Sequence, residues 1–274
     1  MCAIFGLGFL KGHKVTSSDF VINLIRALFL ENMERGRTAA GLAYVSDRDI
    51  TIVKKNLAAN NLINTPEYKN TESERIVLNP DNRNMVKTQI LRPIISVIGH
   101  CRLKTKGTEL DNNNNHPIVR KSVVGVHNGC IMNDDALFSS YEMEFSRNGE
   151  VDSEIIFALI EHFSTSSMIH VAIQRMSRVV SGSMACAMVH SHQPHVVWFF
   201  RRSNPCYVVI FKKVGLVIWS SSDKYIDTAV LDYYNFGRGE KIEFEPLSGI
   251  GINLHNNRIH RFKIEESNST RYFV

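Results

Sequence analysis

No apolar run in the 274 residues is long enough to cross a bilayer, which argues against a helical membrane protein and leaves no membrane partner to expect. Cysteine is scarce and poorly arranged for pairing. Cys2, Cys101, Cys130, Cys186 and Cys206 are an odd number with no short paired spacing. A disulfide framework and a thiolate zinc site are therefore both disfavoured, and a reducing compartment is expected. Charge of one sign is not in excess either. The net charge is +5, with basic residues scattered apart from pairs such as Lys54-Lys55, Arg201-Arg202 and Lys212-Lys213. Such pairs usually flank strands as solvated ends, so no nucleic-acid partner is expected. Met1 to Lys14 has no basic leader ahead of an apolar stretch, so no secretory signal is read there, and the expected location is cytoplasmic. Internal repeats and a convincing linker are also missing, which favours one domain over residues 1–274.

The remaining composition, 44% hydrophobic and 22% charged, suits a globular chain with a sizeable core. Cys2 to Leu10 reads as a buried strand. Ser17 and Ser18 offer a cap to a helix whose stripe is Phe20, Leu24 and Leu28 with Val21, Ile25 and Phe29. Gly41 to Ser46 and Ile50 to Lys54 read as strands around a turn at Asp47-Arg48-Asp49. Asn56 to Arg92 is polar and weakly periodic, and is expected to be a long insertion carrying one helix. Pro93 to Cys101 and Ser122 to His127 are strand candidates flanking Asn112 to Asn115, which composition reads as a solvated turn. Asp152 to Phe163 and Met168 to Val180 are expected as amphipathic helices. Four strands follow from Met184 to Ser220, then a short helix near Tyr225 to Tyr233 and a hairpin at Gly251 to Phe262. The expected class is α+β, two stacked antiparallel sheets with helices outside.

The chemistry concentrates at the N-terminus. A small residue after Met1 permits removal of that methionine, and a terminal Cys2 would carry a thiol and a free α-amine together. An α-amine titrates near pH 8, so it can take the thiol proton directly or through one water, making nucleophile and base one residue. A merely tolerated small residue is the competing reading of Cys2 alone.

Five elements, the first of them holding Cys2, change that balance by their order. Met1-Cys2-Ala3-Ile4-Phe5-Gly6 is followed by Arg35-Gly36-Arg37-Thr38-Ala39-Ala40-Gly41. Then come Gly99-His100-Cys101-Arg102-Leu103-Lys104-Thr105-Lys106-Gly107 with His116-Pro117, Val126-His127-Asn128-Gly129, and Val151-Asp152-Ser153-Glu154. Together they resemble the glutaminase domains of the class II glutamine amidotransferases, in the N-terminal-nucleophile hydrolase superfamily. The texture is nearest the glutaminase halves of glutamine–fructose-6-phosphate aminotransferase and amidophosphoribosyltransferase. That resemblance implies a four-layer αββα sandwich and hydrolysis of glutamine to glutamate and ammonia through a Cys2 thioester. It implies Asn128 and Gly129 as the oxyanion hole, Arg102 for the glutamine carboxylate and Asp152 for its ammonium. Leu103, Thr105 and Lys106 would complete the pocket, the last mainly through its backbone. No metal or cofactor is implied.

Each residue has a plainer reading. Arg102 could be a strand-end arginine, Asp152 a helix cap and Asn128-Gly129 a hairpin turn. His190 to His195 reads as an exposed turn rather than a ligand set, and Cys101, Cys130, Cys186 and Cys206 as buried small residues. Ala3 departs from the family's usual glycine. Because the chain stops at Val274, a stand-alone glutaminase feeding a separately encoded synthase or transferase is expected. A lapsed glutamine-binding or scaffold protein and a hydrolase of another amide stay open as alternatives.

Overall fold

Alternation organises the first strand. In β1 (Ala3–Phe9), Ala3, Phe5, Leu7 and Phe9 pack into one apolar layer, while Ile4 belongs to another on the opposite side. Of the inward positions, Gly8 leaves room for Leu254 after β12 of the facing sheet, and Gly6 for the Trp219 ring of the neighbouring strand. A side chain at Gly6 would stand 2.3 Å from the Trp219 ring. The structure is a computed structural model and describes residues 1–76, 93–231 and 236–267.

The remaining strands are β2 (Ala39–Val45), β3 (Ile50–Lys55), β4 (Ser96–Arg102), β5 (Ile118–Val119), β6 (Val123–Ile131), β7 (Gly182–His190), β8 (Gln193–Arg201), β9 (Tyr207–Phe211), β10 (Leu216–Ser220), β11 (Glu240–Lys241), β12 (Ser248–Asn253) and β13 (Arg258–Lys263). They form two sheets. The first has the order β11-β9-β10-β1-β4-β2-β3 and places β1 at its centre, and the second runs β13-β12-β8-β7-β6-β5. Every pairing is antiparallel.

The helices are α1 (Ser18–Asn32), α2 (Ala59–Leu62), α3 (Pro66–Arg75), α4 (Asp134–Ser140), α5 (Glu154–Ser164), α6 (Ile169–Val179) and α7 (Asp223–Val230). Helix α1 starts where Ser17 accepts the Phe20 N–H, as its sequence signals. It buries Val21, Leu24, Ile25, Leu28 and Phe29 against the outer face of the first sheet. Helices α5 and α6 cover the second sheet through Ile155, Ile156, Leu159, Ile173 and Met176. Between the sheets lies a third apolar layer, in which Trp219 meets Phe199 edge-on at 5.1 Å. The result is the four-layer α-β-β-α arrangement, because two sheets that each bury both faces need a helical cover outside.

Several expectations are corrected. The first part of the 56–92 insertion holds two helices, α2 and α3, rather than one, and they are part of the outer core. Leu62 and Tyr68 have no exposure, and Glu72 pairs with Arg26 of α1. Residues 77–92 lie outside the described residues. Asn112 to Asn115 is not a solvated turn, since Asn114 and Asn115 are fully buried. Arg202 is not a solvated strand end. It is buried and donates to the carbonyls of Ser177, Val180, Gly182 and Glu265, which offset taking a charge out of water there. His190 is buried inside β7 and meets Ser164, while His192 is exposed in the turn. Cys101, Cys186 and Cys206 are buried as expected, but Cys130 is exposed at the end of β6. Among the described residues no helix is long and apolar enough to cross a membrane.

Candidate active site

Strand parity brings the predicted residues to one place. Cys2 immediately precedes β1, and the register pairs Ala3 with Cys101, so Cys2 lies beside the Arg102 end of β4. Counting by twos from Ile4 and Ile98, which pack between the sheets, puts Cys2, His100 and Arg102 on the inner face. The same count from Val124 and Val126 on β6 puts Asn128 on the inner face of the opposing sheet. A bond ties the sheets at this level: His100 Nε2 lies 3.0 Å from the His127 carbonyl oxygen.

Asn128 and Gly129 sit within a continuous strand, opposite Ala185 and Met184, so the hairpin-turn reading fails. Both neighbours pair with β7 and the chain does not reverse. The Asn128 side-chain nitrogen Nδ2 is buried and has no partner among the described residues, although the residue's carbonyl accepts from Asn204 at 3.0 Å. A buried donor left unpaired is costly, and a donor kept free for a ligand is one physical reason to retain it. Gly129 cannot carry a side chain, because a Cβ there would stand 2.0 Å from the Ser183 carbonyl oxygen.

Around Cys2, the Leu103 N–H donates to Sγ at 3.4 Å, and Arg35 Nε donates to the Cys2 carbonyl at 3.1 Å. Burial pushes the Cys2 thiol pKa up, and Asp152 adds to the rise. The Leu103 N–H, the chain's α-ammonium and the Arg102 guanidinium pull it back down. Met1 is exposed and still carries that amine, while its sulfur lies 3.6 Å from Arg35 Nη2. Arg102 is buried rather than a surface residue. It donates through Nη1 to Asn115 Oδ1 at 2.8 Å, and through Nη2 to the Lys106 and Gly107 carbonyls at 2.6 and 2.9 Å.

Asp152 does not cap α5. Its carboxylate accepts the Ile131 N–H at 2.6 Å, which anchors it to the end of β6. Its charge acts on both Cys2 and Arg102. Leu103 and Thr105 are exposed on the loop after β4. Lys106 turns its ammonium away to Asp134 at 2.6 Å and Asp135 at 2.8 Å, and these two carboxylates also hold Arg147. Ala3 fits within the outer apolar layer.

Residues missed by sequence reasoning brace this arrangement. Arg35 was visible only as part of a quoted motif, and its partner Gly36 allows close approach: a Cβ there would lie 2.5 Å from the Arg102 carbonyl carbon. Behind the site His100 and His116 stack at 4.0 Å, and His127 Nδ1 meets Ser153 Oγ at 2.8 Å. Burial lowers the pKa of all three histidines, that of His100 to about 3. Among the described residues no group of three or more histidine, cysteine, aspartate or glutamate side chains is placed to hold a metal ion.

The model of a glutamine amidotransferase domain matches residues 100–228, which include Arg102, Asn128, Gly129 and Asp152. The chain resembles the class II glutamine amidotransferases, whose domain model matches just under half of it. It is 29% identical over 248 residues to glutamine–fructose-6-phosphate aminotransferase (isomerizing) of Aeropyrum pernix, covering 86% of this chain and 35% of that protein. To the Clostridium acetobutylicum protein of the same name it is 28% identical over 270 residues, covering 97% of this chain and 38% of the other. Glutamine phosphoribosylpyrophosphate amidotransferase from B. subtilis, solved with ADP and GMP, has the same fold at a TM-score of 0.67. That likeness is 16% identical and covers 96% of this chain and 49% of the other. The chain thus spans well under half the length of these two relatives.

Proposed function

We propose that this amidotransferase domain hydrolyses glutamine to glutamate and ammonia through a Cys2 thioester once Met1 has been removed. The observation that carries the reading is the buried Nδ2 of Asn128, without a partner among the described residues and on the inner face opposite the sheet whose central strand Cys2 precedes. With Met1 gone, the α-amine belongs to Cys2 and takes its thiol proton. The sulfur then bonds to the δ-carbonyl carbon, and the carbonyl electron pair moves to oxygen, where Asn128 Nδ2 and the Gly129 N–H donate to it. As that pair returns, the carbon–nitrogen bond breaks and the amine's proton leaves with ammonia. Water, deprotonated by the same amine, attacks the thioester and releases glutamate and the thiol.

Arg102 and Asp152 supply opposite charges suited to the carboxylate and ammonium of the amino-acid head. Leu103, Thr105 and the Lys106 backbone line the loop that carries Arg102. The relatives' names describe enzymes that aminate other compounds, which supports passage of the ammonia to an acceptor enzyme. The reading includes that this acceptor is a separate chain.

The test is glutamate and ammonia release by protein lacking Met1, alongside Cys2→Ala and a form that retains Met1. Release by the processed protein and loss in both controls is the expected pattern. Turnover that survives Cys2→Ala would refute the mechanism. A silent processed protein whose Cys2 also fails to react with a glutamine-shaped electrophile would instead support the non-catalytic binding module. Co-purification with a larger enzyme that stimulates turnover checks the acceptor.

A further inference from the structure

Arg102 has to present its guanidinium in one orientation to pair with a carboxylate, and three of its five N–H donors are already committed. Two of the acceptors, the Lys106 and Gly107 carbonyls, belong to the same loop as Arg102 and can move with it. The third, Asn115, stands at the far end of the segment between β4 and β5 and is also tied to β3. It is fully buried, and its Nδ2 donates to the Glu109 carbonyl at 2.7 Å and to Asn112 Oδ1 at 3.0 Å. Its own carbonyl accepts from Lys54 Nζ of β3 at 2.8 Å, and that ammonium also holds the Pro117 carbonyl at 2.9 Å. Next to it, Asn114 accepts from the Glu150 and Val151 N–H groups at 2.6 and 2.9 Å and donates to the Thr108 carbonyl at 2.9 Å. The segment leading into Asp152 is thereby tied to the same short turn.

We propose that Asn115 is a positioning residue for glutamine capture: its side-chain oxygen, on a buried residue that Lys54 ties to β3, aims the Arg102 guanidinium at the substrate carboxylate. The inference rests on reading this site as a glutamine site. Asn115 touches no reacting atom, so its effect passes through Arg102 and is confined to ligands that carry the amino-acid head. The Nη1 bond is charge-assisted and buried, the kind whose loss is felt most. Truncation leaves Nη1 without that acceptor and frees the guanidinium to rotate.

The experiment measures alkylation of Cys2 in Met1-processed full chain by two electrophiles, a diazoketone analogue of glutamine and iodoacetamide, which lacks the head group. The quantity read is the ratio of the two rate constants, so a general change in thiol reactivity cancels. In Asn115→Ala the ratio is expected to fall about tenfold, the order set by loss of one charged hydrogen bond. In an Arg102→Ala background the same substitution is expected to do nothing further. Asn115→Leu, which fills the space without an acceptor, is measured in parallel in case the alanine variant does not fold, and should give the same pattern. An unchanged ratio in a folded Asn115 variant, with Arg102→Ala lowering it, would overturn the proposal. So would an equal fall in both backgrounds, because that marks a structural role. If wild-type Cys2 reacts with iodoacetamide but shows no preference for the glutamine analogue, it is the glutamine reading that fails, and the role of Asn115 with it.

Discussion

Replacing Asn128 with alanine separates catalysis from stability more cleanly than any other change at this site. The Nδ2 atom donates to nothing among the described residues, so its removal breaks no protein hydrogen bond and relieves a buried unpaired donor. Leaving such a donor unpaired costs about 1–3 kcal/mol. The packing lost with the amide acts in the opposite direction and is of similar size, so the net change in stability should be within about 1 kcal/mol. The strand itself is unaffected, because the Asn128 backbone still pairs within β6 and β7 and its carbonyl still accepts from Asn204. In the proposed mechanism the same nitrogen faces a developing oxyanion, where one donor is worth about 3–4 kcal/mol. The kcat for glutamate release should therefore fall about 10²–10³-fold, with KM moving by no more than about threefold, since the neutral amide oxygen asks less of the donor. Initial rates over a range of glutamine concentrations, together with a thermal melt, read both quantities. At about 2–4 °C per kcal/mol for a chain of this size, Tm should shift by no more than about 4 °C. A kcat loss below tenfold in a folded variant, or a melting point that drops by much more than 4 °C, would refute the reasoning.

Three other outcomes follow from the geometry. His100, His116 and His127 are held neutral by burial, with His100 titrating near 3, whereas an unfolded histidine titrates near 6.5. Their contribution is fully present above pH 6.5 and is lost as pH falls from there toward the folded values, because only the unfolded chain takes up protons in that window. The loss is about 2 kcal/mol for His100 by pH 5, with His116 and His127 acting in the same direction, and urea midpoints at pH 7.5 and 5 should show it. Equal midpoints would contradict neutral buried imidazoles. Gly36→Ala places a methyl 2.5 Å from the Arg102 carbonyl carbon, and backbone cannot rotate away. It should cost about 1–3 kcal/mol in stability and raise the KM for glutamine, and an unchanged KM would separate this contact from the glutamine loop. Lys106→Ala removes an ion pair with exposed Asp135 and one with buried Asp134, which Arg147 still holds, but keeps the carbonyl that receives Arg102. Stability should change by under about 1 kcal/mol and KM by little, as titration calorimetry with glutamine and a thermal melt would report.

Much of the site was legible because its chemistry lies in short ordered motifs: a cysteine behind Met1, the Gly99 to Gly107 stretch, His127-Asn128-Gly129, and Asp152 before a helix. The braces were not. Asn112 to Asn115 has the composition of a surface turn, and nothing local says that Asn115 meets Arg102 or that Asn114 meets Val151. Arg202 and Cys130 were misjudged for the same reason, since a residue type gives only an average tendency to be buried.

By itself the sequence determined most of the strands and helices, since periods of two and 3.6 are local properties, though it missed α4 and one of the pair α2 and α3, and it determined which residue types could act on an amide. The tertiary structure decided which sheet face each residue joins, that Asn128-Gly129 is strand rather than turn, and that one donor stays unpaired. Those outcomes depend on register between segments about a hundred residues apart, such as Ala3 with Cys101, and on buried polar groups that find their partners only after the two sheets have closed.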